Sequence, residues 1–154
     1  MKKKCLFLGY NSKQTKIIEK INSLGWIVDQ TNKSITYNQS KKYHSIICFG
    51  YQKIIDKEII QKIKIPIINL HIGYLPFNRG AHPNFWSFVE NTPSGVTIHE
   101  LNKGIDTGPI IFQKILDFNV YGNNKKLKFS NTYNTLINEI ERLFISNLKK
   151  LLNF

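Results

Sequence analysis

Sulfur is scarce in this chain: two cysteines and one methionine in 154 residues. Cys5 and Cys48 each sit in an apolar, strand-like run, which fits reduced core thiols of a cytoplasmic protein and argues against a disulfide framework. Acidic side chains are also few, ten Asp and Glu against 22 Lys and Arg, which leaves a formal charge of +12. No apolar run approaches the ~20 residues that cross a bilayer, so no membrane partner is expected. The basic opening Met1-Lys2-Lys3-Lys4 is followed by an apolar stretch of only about four residues, too short for the core of a signal peptide. After the first strand, Gly9-Tyr10-Asn11-Ser12 lacks the second and third glycines that let a backbone approach a pyrophosphate, so no NAD or FAD is assigned. His71, His82, His99 and Asp106 are suitable metal ligands by type, but no C-x-x-C or helical ligand pair accompanies them, and no metal is assigned.

What is present describes a globular chain: 42% hydrophobic and 21% charged residues, with a length that suits one domain over residues 1–154. The positive charge admits nucleic acid as a partner, or a small anionic substrate such as a nucleotide-activated sugar. The lysines are spread along the sequence, at Lys2 to Lys4, Lys13, Lys16, Lys20, Lys41, Lys42, Lys53, Lys62, Lys64, Lys125, Lys126, Lys149 and Lys150. A solvated basic surface accounts for most of that charge, and nucleic-acid binding is not assigned.

Taken in order, residues 4–8 read as a strand and residues 12–24 as a helix, with Ser12 as N-cap, Ile17, Ile18, Ile21 and Leu24 on one face and Gly25 as the stop. Residues 26–28 form a second strand, and the polar stretch 30–43 a loop or ragged edge strand. Residues 45–49 are a third, buried strand, Asp56 caps a short helix through Ile63, and residues 65–71 are the fourth strand. This βαβ alternation implies a parallel sheet with right-handed crossovers. Pro83 opens a helix to about residue 91 whose Phe85, Trp86, Phe88 and Val89 are expected in the core or a pocket wall. Residues 96–100 and 109–115 read as two strands joined by the loop of Asp106. From Ser130 or Asn131 onward, Tyr133, Leu136, Ile137, Ile140, Phe144, Leu148 and Leu151 mark a long amphipathic helix.

Two polar groups end the fourth strand. Its two-residue period puts Asn69 and His71 on one face and Ile68 and Leu70 on the other. They are either strand-tip polar groups satisfied by nearby backbone, or a pair that holds or polarises a ligand. The breaker-rich connection Gly73-Tyr74-Leu75-Pro76-Phe77-Asn78-Arg79-Gly80 leaves the strand where open α/β sheets place their ligands, and Asp106 sits in a second loop between glycines. His99 alternates with Ile98 and is expected to line the pocket beside Asp106. His82 is given no catalytic part.

Asn69-Leu70-His71, then Leu75-Pro76, Arg79-Gly80, Pro83 and Trp86, then Gly95-Val96-Thr97-Ile98-His99 and Ile105-Asp106-Thr107-Gly108, resemble the catalytic core of the 10-formyltetrahydrofolate-dependent formyltransferases. That family includes glycinamide ribonucleotide transformylase, methionyl-tRNA formyltransferase and the sugar N-formyltransferases, and Arg79-Gly80 followed by Pro83-Asn84-Phe85-Trp86 is most similar to the sugar enzymes of bacterial polysaccharide pathways. The resemblance implies a Rossmann-like, mostly parallel twisted sheet with flanking helices, 10-formyltetrahydrofolate as formyl donor and a nucleotide-linked amino sugar as acceptor. It implies Asn69, His71 and Asp106 as catalytic residues. It places the pterin between the turn of Gly50, Tyr51, Lys53 and Ile55 and the loop of Lys103, Gly104 and Ile105, read mostly by backbone groups. The acceptor would enter beside Arg79, Gly80, Trp86 and His99, where Arg79 either meets a phosphate or carboxylate or braces its own loop, and Trp86 is either an anchor or a stacking surface.

Formyl transfer explains why such groups should meet. An amine attacks the formyl carbon, the carbonyl oxygen gains negative charge, and the nitrogen must lose a proton. Asn69 and a protonated His71 are expected to donate to that oxygen, each donor being worth on the order of 3 kcal/mol. Asp106 is expected to hold His71 charged, orient a water and accept the amine proton. Two departures from the family pattern stand out: Gly73 replaces a serine frequent two residues after the histidine, and a βα unit is missing between Val28 and Ser45. A shortened amino-terminal half is compatible with a smaller acceptor, a homodimer that shares its site, or lost activity. A phosphate loop of the purine enzyme is not evident at residues 9–12, and the chain stops at Phe154 where a tRNA enzyme would continue. The rival readings are a formyltetrahydrofolate deformylase and a non-catalytic folate- or nucleotide-binding relative.

Overall fold

The structure, a computed structural model, describes residues 2–118 and 128–154; Lys125 and Lys126 of the basic surface lie outside the described residues. In chain order the elements are β1 (Lys4–Gly9), α1 (Ile17–Ser23), β2 (Ile27–Thr31), α2 (Tyr37–Ser40), β3 (Ser45–Phe49), α3 (Lys57–Lys62), β4 (Ile67–His71), α4 (Pro83–Val89), β5 (Ser94–Glu100), β6 (Ile110–Leu116), α5 (Phe129–Ser146) and α6 (Leu148–Leu152). The six strands form one sheet in the order β2-β1-β3-β4-β5-β6. Strands β1 to β4 pair in parallel, as βαβ connections require. β5 turns antiparallel to β4, and β6 returns antiparallel to β5.

Alternation sorts the strand side chains onto two faces. Cys5, Phe7, Ile47, Phe49, Ile68, Leu70, Val96 and Ile98 pack against Ile17 and Ile21 of α1 and Leu136, Ile140 and Phe144 of α5. On the other face Leu6, Leu8, Ile46, Cys48 and Ile67 pack with Ile55 and Ile59. Burying each such side chain stabilises the fold by roughly 1.5–3 kcal/mol, which lets short helices persist that would melt in isolation. Cys5 and Cys48 are free and buried, and burial pushes the Cys5 thiol up to about 12. Among the described residues no helix is long and apolar enough to cross a membrane.

Four local expectations change. α1 begins at Ile17 rather than residue 12, because Asn11 closes its own turn by accepting from Lys13 N and Ser12 makes no cap. Its first turn is served from a distance: Glu141 of α5 accepts from Thr15 Oγ1 and Lys16 N. In the stretch 30–43, β2 runs to Thr31 and a capping box of Thr36 and Gln39 opens the four-residue helix α2, too short for a period to show. No strand lies between β2 and β3, so the amino-terminal half is shortened as expected.

α4 ends at Val89, and its aromatic face looks outward instead of forming core: Phe85, Trp86, Phe88 and Val89 are 44%, 43%, 44% and 58% exposed. The small face of Pro83, Asn84 and Ser87 is the buried one, and Asn84 Nδ2 donates to Thr132 Oγ1 of α5. The long closing helix also breaks at Asn147, so Leu148 and Leu151 belong to the separate α6. By contrast, Asp56 caps α3 as expected, accepting from Glu58 N at 2.8 Å.

Candidate active site

Strand register supplies half of the site. In the antiparallel pairing of β4 and β5, Asn69 stands opposite His99 and His71 opposite Thr97. Directly opposed residues share a face of the sheet, so two apolar strands carry a patch of four polar side chains on the face of Ile67. His71, Thr97 and His99 are buried. Thr97 Oγ1 donates to Gly73 O at 2.7 Å and accepts from Leu75 N and Gln113 Nε2, which fixes the start of the connection after β4.

Asp106 supplies the other half, from the loop between β5 and β6. That loop is stapled by Asn102, whose Oδ1 accepts from Gly104 N at 3.0 Å and Thr107 Oγ1 at 2.7 Å. Gly108 is required there, since a Cβ would meet Glu100 O. Asp106 itself takes a left-handed backbone, φ 48°, which Asp tolerates better than most residues. Its Oδ2 accepts from Gly80 N at 2.8 Å, tying the two loops together, and its Oδ1 accepts from Asn69 Nδ2 at 3.3 Å. His99 Nε2 lies 3.3 Å from Oδ1 and His71 Nδ1 lies 3.5 Å from Oδ2. An amide, two imidazoles and a carboxylate, up to 37 residues apart in sequence, therefore form one cluster.

Burial and charge act differently on Asp106 and His71. Burial would raise Asp106, but the His99 hydrogen bond, the facing His71 and the Gly80 N–H outweigh it and hold the carboxyl below its usual range. His71 moves the opposite way from a typical ion-pair partner: burial lowers its pKa, and the opposing pull of Asp106 and the Asn78 carbonyl is smaller. The pair is thus an ionised carboxylate beside a neutral imidazole, not a charged His71 at rest as expected from the sequence. His71 Nε2 donates to Asn78 O at 3.1 Å. His99 Nδ1 faces Glu100 O at 3.0 Å while its Nε2 faces Asn69 Nδ2 at 3.0 Å. Such a cluster can accept a proton from an amine and offer N–H donors to a carbonyl oxygen.

Comparison with known proteins gives the family. Residues 8–130 match the formyl transferase family. The chain belongs to that family. The formyltransferase PseJ of Anoxybacillus kamchatkensis, solved in complex with UDP-4,6-dideoxy-4-formamido-L-AltNAc and tetrahydrofolate, is 35% identical with a TM-score of 0.84, over 97% of this chain and 78% of that one. The methionyl-tRNA formyltransferase of Thermodesulfovibrio yellowstonii is 40% identical over 82 residues, 53% of this chain and 27% of that protein. The dTDP-4-amino-4,6-dideoxyglucose formyltransferase of Mycobacterium tuberculosis is 32% identical over 74 residues, 48% of this chain and 31% of that protein. The chain thus spans about a third or less of these curated relatives' length. The six-stranded, mostly parallel sheet is the formyltransferase fold.

The other expected site residues of this family member fall in different settings. Gly80 bonds Asp106, and Ile105, 68% exposed, lies beside it, 3.8 Å from where a Gly80 Cβ would stand. Arg79, Lys53, Lys103 and Gly104 are exposed, and among the described residues Arg79 makes no ion pair. Gly50 ends β3 with φ 67°, and its bare α-carbon is covered by the Tyr10 ring. Tyr51 donates to Lys33 O, and Ile55 is a core residue that could reach a ligand only through its backbone. Trp86 stacks edge-on with Phe85 on α4, and among the described residues its side chain makes no hydrogen bond to the cluster. His99 is fully buried, so it braces Asn69 and Asp106 and does not line an open pocket. Sequence reasoning missed Thr97, Gln113 and Asn78; Thr97 had a signal, as a second polar residue in step with His99.

Proposed function

We propose that this chain transfers a formyl group from 10-formyltetrahydrofolate to the primary amine of a nucleotide-linked amino sugar. The observation that carries this reading is the convergence of Asn69, His71 and Asp106 on one spot at the carboxyl end of β4. The PseJ relative, whose crystals hold a formamido UDP-sugar and tetrahydrofolate, supports the donor and the acceptor class. The acceptor's amine nitrogen bonds to the formyl carbon, giving a tetrahedral centre with a negative oxygen. The amine proton passes to Asp106, directly or through a water, or to the neutral His71. The bond from the formyl carbon to the folate nitrogen then breaks, and that nitrogen leaves with one proton as tetrahydrofolate. Asn69 and the protonated form of His71 stabilise the oxyanion.

In this reading the pterin occupies the space between the Gly50 to Ile55 turn and the Lys103 to Ile105 loop. The acceptor lies along Gly80, Arg79 and Trp86, with the guanidinium of Arg79 on its phosphates. The chain acts as a single cytoplasmic catalytic domain. A tRNA acceptor is the second reading, favoured by the 40% identity over 82 residues to a methionyl-tRNA enzyme. The test offers the protein 10-formyltetrahydrofolate with UDP- and dTDP-linked amino sugars, glycinamide ribonucleotide and methionyl-tRNA in parallel. Mass gain of one formyl group on a nucleotide sugar is expected. Gain on methionyl-tRNA alone selects the second reading, and tetrahydrofolate release without any acceptor points to a deformylase.

A further inference from the structure

His71 has two nitrogens, and the fold treats them differently. Nε2 faces the carbonyl of Asn78 at 3.1 Å, a group that can only accept, so Nε2 carries the proton in the neutral ring. Nδ1 is turned to Asp106, with Oδ2 3.5 Å away, and the His99 ring stands edge-on at a centroid distance of 6.3 Å. Three features aim the Asn78 carbonyl. The residue has a left-handed backbone, φ 53°, which Asn adopts more readily than other side chains except glycine's. Its Oδ1 accepts from Thr92 Oγ1 at 2.7 Å, and its Nδ2 donates to Glu90 Oε2 at 3.3 Å, clamping the loop to the end of α4. Thr92 is fixed in turn by its N–H on Ser87 O. From the opposite side Gly73 makes room, because a Cβ there would stand 2.6 Å from Nε2.

We infer that Asn78 is a positioning residue: it pins the His71 proton on Nε2 and so makes Nδ1, beside Asp106, the nitrogen that gains and loses a proton during turnover. The kinetic consequence rests on the formyl-transfer reading; the tautomer does not. Loss of the clamp frees the loop, lets the ring exchange tautomers and slows the proton step; Arg79 and Gly80 follow in the same loop, so the acceptor's KM rises with it while the folate's surface is left alone.

The test uses the full chain with isotope-labelled histidine and two-bond proton–nitrogen correlation spectra at mildly alkaline pH, the His71 signals being assigned with His71→Gln. The Nε2-protonated tautomer is expected for His71 in the wild type. Thr92→Val removes the hydroxyl, and Asn78→Gly keeps the carbonyl and backbone freedom but removes the amide; both are expected to give mixed tautomers. In both, kcat falls about tenfold with the donor's KM within about twofold, and Thr92→Ser restores spectrum and rate. A wild-type His71 protonated on Nδ1 overturns the inference whether or not the variants fold. So does an unchanged His71 spectrum in both variants. The expected tautomer in a protein that formylates no acceptor would leave the positioning intact and remove the proposed function.

Discussion

Replacing Asp106 with Asn tests the proposed chemistry at the point where a charge is lost and shape is kept. The carboxylate receives Gly80 N at 2.8 Å and Asn69 Nδ2 at 3.3 Å, with His99 Nε2 at 3.3 Å and His71 Nδ1 at 3.5 Å. An asparagine that keeps its oxygen on Gly80 N must turn its NH2 toward the Asn69 NH2, setting donor against donor. One charge-assisted hydrogen bond is lost, about 2 kcal/mol of stability, which a domain with roughly 5–15 kcal/mol in hand survives. Catalysis loses far more. A positioned base is worth about 10²–10⁴-fold, so kcat is expected to drop about 10³-fold, a barrier increase of about 4 kcal/mol. KM values change little, because the carboxylate acts on the amine's proton in the chemical step and the exchange keeps the side chain's shape. Rapid-quench measurement of tetrahydrofolate formed with and without the amine acceptor reads the effect and separates transfer from hydrolysis. A variant with folded-state spectra and a kcat within about threefold of wild type would refute the role of the carboxylate.

Gly73→Ser is expected to lower kcat at least about tenfold, because its Cβ would stand 2.6 Å from His71 Nε2 and turn the ring; a more active variant would show the ring has room. Gly108→Ala drives a Cβ into Glu100 O, and the displaced Asp106 loop is expected to cost about 1–3 kcal/mol, read as a lower Tm together with lost formyl transfer. Stability against pH follows from burial of the neutral His71: the unfolded chain takes up that proton first, so stability falls as pH drops below the ordinary value of 6.5. Asp106, held below 3.8 in part by the facing His71, adds a second loss at still lower pH when its carboxylate is protonated, so His71→Gln should flatten the first limb of a Tm profile and shrink the second. A wild-type profile with no fall on the first limb would contradict the neutral imidazole.

The parallel half of the sheet was legible because its strands are continuous apolar runs separated by breakers, and the trio because two polar groups interrupt one such run at a spacing of two. What stayed hidden depends on partners distant in sequence. α1 starts late because Thr15 Oγ1, which accepts from Ile17 N, is itself held by Glu141, 126 residues away. The aromatic face of α4 invites a core assignment on hydrophobicity alone, yet the geometry of α5 selects the small face of Asn84 and Ser87 for contact. His99 was assigned to a pocket wall, and only the β4–β5 register, with His99 opposite Asn69, puts it behind the site. Asn78 carried no pattern at all, since its task is done by a backbone carbonyl.

The cluster at rest has few hydrogen-bonding groups to spare, and this bears on how it would discriminate. Asn69 Nδ2 is directed at Asp106 and His99, His71 Nε2 at Asn78 O and Gly80 N at Asp106. A neutral formyl oxygen that displaces one internal acceptor gains almost nothing, because one neutral hydrogen bond is exchanged for another. As the amine adds, the same oxygen becomes an anion, and a bond to it is about twice as strong. Donors that are already satisfied therefore reward the transition state and are nearly indifferent to the ground state, which is the differential that raises kcat without tightening substrate binding. On this argument Asn69→Ala should depress kcat by on the order of 10²-fold while leaving the donor's KM almost unchanged. A variant that instead raised KM at constant kcat would place Asn69 in ground-state binding and outside the chemical step.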